Sequence, residues 1–373
     1  MQIWQTFLER HGAYGFDPLT GVVSGFRADD GADHSAAAVS GAVDVATLAP
    51  PMRPGADFMV PLGDAGLLVA SGAEAAVFLH NQFTSDVTHL TEDRARLAGY
   101  CTPKGRLLTT FLLWRAGQNI FLHLPRMLQP AIRKRLQMYI LRAKVTLDEA
   151  PDDTVQLGLA GPAATVLLAN WFPAVPAAPY MATHTDAGTL IRLADGTNEL
   201  ARYLWAGPAD MLMNAWPRLA QGLQPAGTDA WRLARIHAGI PLITAATQEK
   251  FVPQMVNLEM IGGVDFKKGC YPGQEIVARS QYLGKLKRRM LLATVDAADA
   301  AAGMEIFSSA DPDQACGMVV EAAPDNASGC ACLVEIKLAA LASGVHLGNA
   351  QGPALVFGTL PYALGESLDE ESE

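Results

Sequence analysis

The residues best equipped for chemistry lie in one stretch, Phe266-Lys267-Lys268-Gly269-Cys270-Tyr271-Pro272-Gly273-Gln274-Glu275-Ile276-Val277-Ala278-Arg279. Tyr271 to Gln274 carries Pro and then Gly at its centre, which predicts a type II turn with φ > 0 at Gly273. Gln274 to Tyr282 then reads as a short helix. Cys270 would stand just before the N-terminus of that helix, beside Lys267 and Lys268. Helix dipole and ammonium charge both favour a thiolate there, so a lowered thiol pKa is expected. The alternative is a buried structural cysteine. Gly269 and Gly273 weigh against it, because a packing thiol does not require close backbone approach; both glycines are expected to be backbone necessities. Lys268 either lowers the thiol pKa and grips an anion, or is an ordinary surface lysine. Tyr271 either stacks on a flat ligand or packs in the core. Gln274 and Glu275 suit a helix start. Arg279, four residues after Glu275, predicts an intrahelical ion pair worth only ~0.3–0.5 kcal/mol if exposed.

The composition narrows what such a site could serve. The chain has 373 residues, 50% of them hydrophobic and 18% charged, with a net charge of −10. That length and apolar content predict two or three domains with sizeable cores and exclude a wholly disordered chain. The negative balance argues against non-specific nucleic-acid coating, which needs a basic excess. Against it stands a local excess of +6 over residues 266–289, the kind of concentration that suits an anionic small molecule. A second basic run, residues 126–144, reads as a solvated helix face or a contact for a partner. Five cysteines with no C-x-x-C pair suit a reducing compartment. Cys330 and Cys332 share one face of a strand and read as small buried hydrophobes rather than a metal pair. No G-x-G-x-x-G, G-x-x-x-x-G-K-[ST], H-E-x-x-H or G-x-S-x-G is present. No apolar run has the length of a membrane span, and the N-terminus resembles neither a secretory signal nor a transit peptide, so a cytoplasmic location is expected. Asn326-Ala327-Ser328 matches a glycosylation sequon that a cytosolic protein would not have read.

The elements that must position these residues alternate strand and helix. Gly66–Gly72 reads as a strand and Ala73–Asn81 as a helix with Val77 and Phe78 inward. Leu97–Cys101 and Leu107–Trp114 form a hairpin through Thr102-Pro103-Lys104-Gly105. Asn119–Leu124 is a further strand, and Pro125–Arg142 an amphipathic helix burying Leu128, Ile132, Leu136, Tyr139 and Ile140. Similar units recur through Val155–Leu159, Pro162–Trp171, Gly188–Leu193, Leu200–Trp205 and Pro208–Gln221. The six tryptophans read as core. After Arg289 the short apolar runs 290–295, 306–308, 317–320 and 331–334 predict a small barrel or sandwich. Ala28–Pro54 reads as a loop-rich connection and Gly365–Glu373 as a disordered acidic tail.

Lys268-Gly269-Cys270-Tyr271-Pro272-Gly273-Gln274-Glu275 resembles the K-G-C-Y-x-G-Q-E signature of the folate-binding YgfZ-like proteins, relatives of the glycine cleavage T-protein, an aminomethyltransferase. Arg235-Ile236-His237-Ala238-Gly239-Ile240-Pro241 is similar to that family's R-I-x-x-G-x-P. Phe251-Val252-Pro253-Gln254 with Asn257-Leu258 resembles its F-x-P-Q-x-x-N-L, Gln82–Val87 its Q-x-T-x-D-V, and Lys104-Gly105-Arg106 its hairpin K-G-[KR]. The resemblance spans roughly residues 58 to 360. It implies an α+β fold, a three-domain cloverleaf around a central cavity, with two interleaved domains over 1–285, a barrel over 286–365 and a tail over 366–373. It implies a tetrahydrofolate ligand, often polyglutamylated, and a role in iron–sulfur cluster assembly or repair that reaches cluster-dependent enzymes such as tRNA methylthiolases. Cys270 and Lys268 become the reactive pair. Tyr271, Gly273, Gln274, Glu275, Arg279, Gln254, Asn257, Arg235, His237, Lys104 and Thr109 become the folate-binding set. Assembly or client proteins of the iron–sulfur system become the expected partners, with no DNA or membrane partner and direct tRNA binding disfavoured by charge.

Two departures bear on mechanism. Where the aminomethyltransferases carry an aspartate after the hairpin, this chain has Thr109-Thr110, which cannot hold the charge that steers a reacting amine. Where they grip the pterin with a glutamate, His237 stands, able to make one bond to a pterin edge but not a carboxylate's paired contact. Three readings stay open: the folate-dependent accessory factor, an aminomethyltransferase or demethylase, and a non-enzymatic binding module.

Overall fold

The computed structural model describes residues 2–27, 56–196, 199–282, 286–325 and 328–364. The expected connection over 28–54, Lys285, Asn326-Ala327 of the sequon and the acidic tail lie outside the described residues. The chain forms two compact units interleaved in sequence. Met1–Gly66 joins Ala150–Trp231, and Leu67–Glu149 joins Arg232–Glu373.

The first unit is a six-stranded sheet in the order Ala182–Thr185, Gly188–Arg192, Arg202–Pro208, Thr154–Ala160, Phe58–Pro61, Gln224–Pro225. All its ladders are antiparallel except the last, a short parallel pair. Helices Gln2–Arg10, Pro162–Leu168 and Ala209–Leu219 supply the apolar layer, in which Trp4, Trp205, Trp216 and Phe172 are buried together. Positioning of the motif residues falls to the other unit.

That second unit contains two sheets. One has the order Ala95–Cys101, Leu107–Ala116, Asn119–Pro125, Ala65–Ser71, Thr146–Glu149. Leu107–Ala116 is covered on both faces over its first eight residues, whereas Asn119–Pro125 alternates buried and partly exposed. The other sheet runs Val345–Leu347, Glu305–Ser308, Asp311–Pro324, Cys330–Lys337, Arg288–Val295, Leu355–Phe357. A bridge between His346 and Ala354 brings its two edges together, so the expected barrel is nearly closed. Cys330 and Cys332 lie buried in its core, and no group of three or more metal-ligating side chains occurs among the described residues. No described helix is long and apolar enough to cross a membrane.

Three expectations need correction. Val77 is 54% exposed, because the helix is only Ala75–His80 and its inner face is taken by Ala75, Phe78 and Leu79. Tyr139 is 47% exposed: a turn of 3-10 helix, Arg126–Leu128, precedes the α-helix Gln129–Ile140, whose inward stripe is Gln129, Ile132 and Leu136. Gly269 is no backbone necessity, since a methyl group there would meet only His80 Nε2 at 3.6 Å, an ordinary contact.

Candidate functional site

The Pro-Gly turn forms as its sequence dictates. The Gln274 N–H donates to the Tyr271 carbonyl at 3.1 Å, Gly273 has φ +83°, and the helix Gln274–Tyr282 begins directly after it. A Cβ at Gly273 would stand 2.5 Å from the Thr102 carbonyl oxygen and 2.7 Å from Gly105 Cα. The hairpin turn that carries Lys104 is therefore packed directly against the turn that follows Cys270. Gly105, at φ +71°, presses in the same way on Ile276 of the helix. Two glycines let two motifs far apart in sequence share one backbone contact.

Lys268 ties in a third motif. Its ammonium donates to the carbonyls of His80 (2.5 Å) and Phe83 (2.9 Å) and lies 4.6 Å from the Tyr271 ring centroid. Burial brings its pKa down to about 8, against the opposing charges of Asp86, Asp265 and Cys270. Thr84 completes the join: its hydroxyl donates to the Gly263 carbonyl at 2.5 Å and accepts the Gly99 N–H at 2.7 Å. Tyr271 is buried, and burial raises its phenol. Asp86 accepts from His80 Nδ1 (2.9 Å), His89 Nδ1 (2.6 Å) and Thr88. Burial works against its ionisation, yet these bonds together hold it well below the usual carboxylate range.

Of the five cysteines only Cys270 is exposed. Burial pushes Cys101 and Cys332 up to about 12, so neither supplies a thiolate at neutral pH.

Gln254 and Asn257 are fully buried and work as braces. Gln254 Nε2 donates to the Val277 carbonyl of the motif helix at 2.7 Å. Asn257 Nδ2 donates to the Met290 carbonyl at 2.7 Å, and its Oδ1 accepts the Met290 N–H at 3.3 Å. Part of the basic excess is also consumed within the fold. Arg279 pairs with Glu275 at 3.2 Å on the surface, Arg288 with Glu335, and Arg289 with Glu259 in full burial. The anion-gathering field inferred from the +6 count is correspondingly weaker, because a tally of charge in one segment omits Glu335 and Glu259, which the fold brings to it from outside. Lys104 is exposed at the hairpin tip. Gln274 and Glu275 begin the helix as expected.

No family model matches the chain. Among individual proteins, the tRNA-modifying protein YgfZ of Escherichia coli strain SMS-3-5 is 34% identical over 251 residues, covering 66% of this chain and 76% of its own length. The namesake of strain E2348/69 is 34% identical over 249 residues, with 65% and 75% covered. The chain belongs to the YgfZ family. A solved structure agrees on the fold: the glycine cleavage aminomethyltransferase T of Bartonella henselae superposes with a TM-score of 0.65 at 16% identity, covering 83% of this chain and 87% of that one.

Two further positions in this YgfZ-family chain differ in kind from the rest. Thr109 and Thr110 are buried, their hydroxyls spent on the carbonyls of Thr110 and Pro241. His237 lies at the end of helix Thr228–His237 with both ring nitrogens buried and unpartnered among the described residues, and burial lowers its pKa. Two residues earlier, Arg235 pairs with Glu321, with its Nε 3.2 Å from the carboxylate. Sequence reasoning passed over His80 altogether. Its carbonyl receives Lys268 and its ring lies beside Gly269, and a lone histidine preceding a Q-x-T-x-D-V stretch carries no signal of either contact.

Proposed function

We infer that this protein is a tetrahydrofolate-binding accessory factor that supports iron–sulfur cluster assembly or repair, with Cys270 as its reactive group. Through that role it serves cluster-dependent enzymes such as tRNA methylthiolases. The observation that carries this reading is the placement of Cys270: the one exposed thiol of five stands where the Q-x-T-x-D-V turn, the hairpin tip and the signature helix are joined. The name of the YgfZ relatives, tRNA-modifying protein, supports the cellular context. The proposed setting is the cytoplasm, and the proposed partners are polyglutamylated folate and iron–sulfur assembly or client proteins.

Tetrahydrofolate fits the polar groups that the fold leaves unsatisfied. A buried neutral imidazole has one donor and one acceptor nitrogen, and among the described residues neither nitrogen of His237 finds a partner. The buried Gln254 Oε1 is likewise without a partner among the described residues. A pterin edge offers both donors and acceptors, so His237 and Gln254 would hold the ring, with exposed Lys104 available to the glutamate tail. Lys268, Arg235 and Asn257 are already committed to protein groups and shape the site instead. When bound, the folate supplies a carrier for one-carbon units.

Cys270→Ser is expected to abolish rescue of cluster-enzyme activity in cells lacking the protein while leaving its thermal unfolding unchanged; full rescue would remove the thiol from the mechanism. Tetrahydrofolate binding by the purified protein should weaken at least tenfold in His237→Ala, as expected for loss of buried hydrogen bonds of ~1.5 kcal/mol or more. Unchanged affinity would mean that the ring is held elsewhere. The aminomethyltransferase fold favours a second reading, one-carbon transfer from a donor amine. Sustained turnover in such an assay would displace the first, which Thr109 and Thr110 predict against.

A further inference from the structure

His80 is held in a way that its packing role does not require. Its Nδ1 lies 2.9 Å from Asp86 Oδ1. Asp86 is kept ionised and can only accept, so Nδ1 carries the proton and Nε2 presents a lone pair. Nε2 takes no hydrogen bond among the described residues, and it faces the backbone at Gly269, 3.6 Å from where a Cβ would stand. The next residue is the exposed Cys270. The segment is anchored to the same histidine by a second contact, Lys268 Nζ on the His80 carbonyl at 2.5 Å. A carboxylate, an imidazole oriented by it and an exposed thiol one residue beyond the imidazole's free nitrogen are the parts of an activated nucleophile.

We propose that His80 is the proton acceptor for Cys270, with Asp86 as the residue that positions it. This rests on the reading of Cys270 as the reactive group and adds how it is activated. The proton leaves Sγ for His80 Nε2, giving a thiolate beside an imidazolium, with Asp86 compensating the new positive charge. No oxidant or co-reactant is consumed. The charged and titratable groups around the pair are Asp86, which also binds His89, and Lys268, on which Asp86, Asp265 and Cys270 all act. The thiolate so formed would take a soft carbon or sulfur electrophile.

The test is the rate at which the full-length protein is alkylated by iodoacetamide at Cys270, read by mass spectrometry of its peptide. His80→Gln, which keeps the carbonyl that receives Lys268, should slow the reaction at pH 7 about tenfold or more, and Asp86→Asn should slow it in the same direction. The pH profile of the alkylation rate should differ between the native protein and His80→Gln. Rates within about twofold of native in both folded variants, with an unaltered profile, would overturn the assignment. If either substitution unfolds the protein, the imidazole itself decides: the NMR titration of His80 must move on Cys270→Ser, and an unmoved titration overturns the proposal. Cellular rescue keeps the two ideas apart. Loss of rescue in Cys270→Ser with normal alkylation in His80→Gln would sink His80 alone, and retained rescue in Cys270→Ser would sink the functional reading alone.

Discussion

Gly273→Ala is expected to damage the site severely, while Gly269→Ala, four residues away in the same motif, should be nearly silent. At Gly273 the backbone is left-handed, φ +83°. An alanine there costs roughly 1–2 kcal/mol for the conformation alone. Its Cβ would also meet the Thr102 carbonyl oxygen at 2.5 Å and the Gly105 nitrogen and Cα at 2.7 Å. These are backbone atoms of a tight turn, unable to rotate aside, so overpacking adds about 1–3 kcal/mol. The total of about 2–5 kcal/mol corresponds to a rise of roughly 30- to 4,000-fold in local opening. At Gly269 the same methyl group meets one ring nitrogen at 3.6 Å, and the effect should stay within about 0.5 kcal/mol. With two units in one chain, global melting is a blunt measure. Amide hydrogen exchange in Gln274–Tyr282 and in the hairpin strands reads the joined turns directly. Equal protection in the two variants would refute the account of the Gly273–Gly105 contact and the fusion of the two motifs built on it.

Three further outcomes follow from the fold. Arg289→Met should cost about 3–5 kcal/mol in denaturant unfolding, because it strands the buried Glu259, and adding Glu259→Gln should recover much of that loss. Asn257→Ala should cost about 2–4 kcal/mol by leaving the buried Met290 N–H and carbonyl unpaired, and near-neutral unfolding would remove Asn257 as the brace to the barrel. Cys101, with a thiol pushed up from 9.0 to about 12 by burial, keeps its proton in the fold and loses it in the unfolded chain as pH climbs past 9. The folded state then binds more protons, so stability falls with rising pH, by about 1.4 kcal/mol between pH 8 and 10 from this residue. Lys268, held near 8, drives stability the other way over the same range. The check is therefore the difference between native protein and Cys101→Ala at the two pH values, and a pH-independent difference would refute it.

Local chemistry was legible wherever it depends on neighbours in the chain. Pro272-Gly273 set the turn and the left-handed glycine, Glu275 and Arg279 met across one helical turn, and Leu107–Trp114 became a strand of the expected hairpin. The motifs, and through them the YgfZ family, were legible for the same reason, since residue types at fixed spacing survive without any knowledge of contacts. Charge and burial were not. Arg288 and Arg289 looked like part of an anion site until Glu335 and Glu259 arrived from distant segments, and Val77 and Tyr139 fit an inward stripe until helix ends and neighbours fixed which side faced water. Tertiary structure alone showed that Lys268 is clamped by the His80 and Phe83 carbonyls, that His237 keeps two unsatisfied nitrogens, and that His80 stands next to Gly269. Each depends on atoms about 185 to 190 residues apart in the chain or, for His237, on the absence of a partner among the described residues. Spacing within a segment holds no information about either.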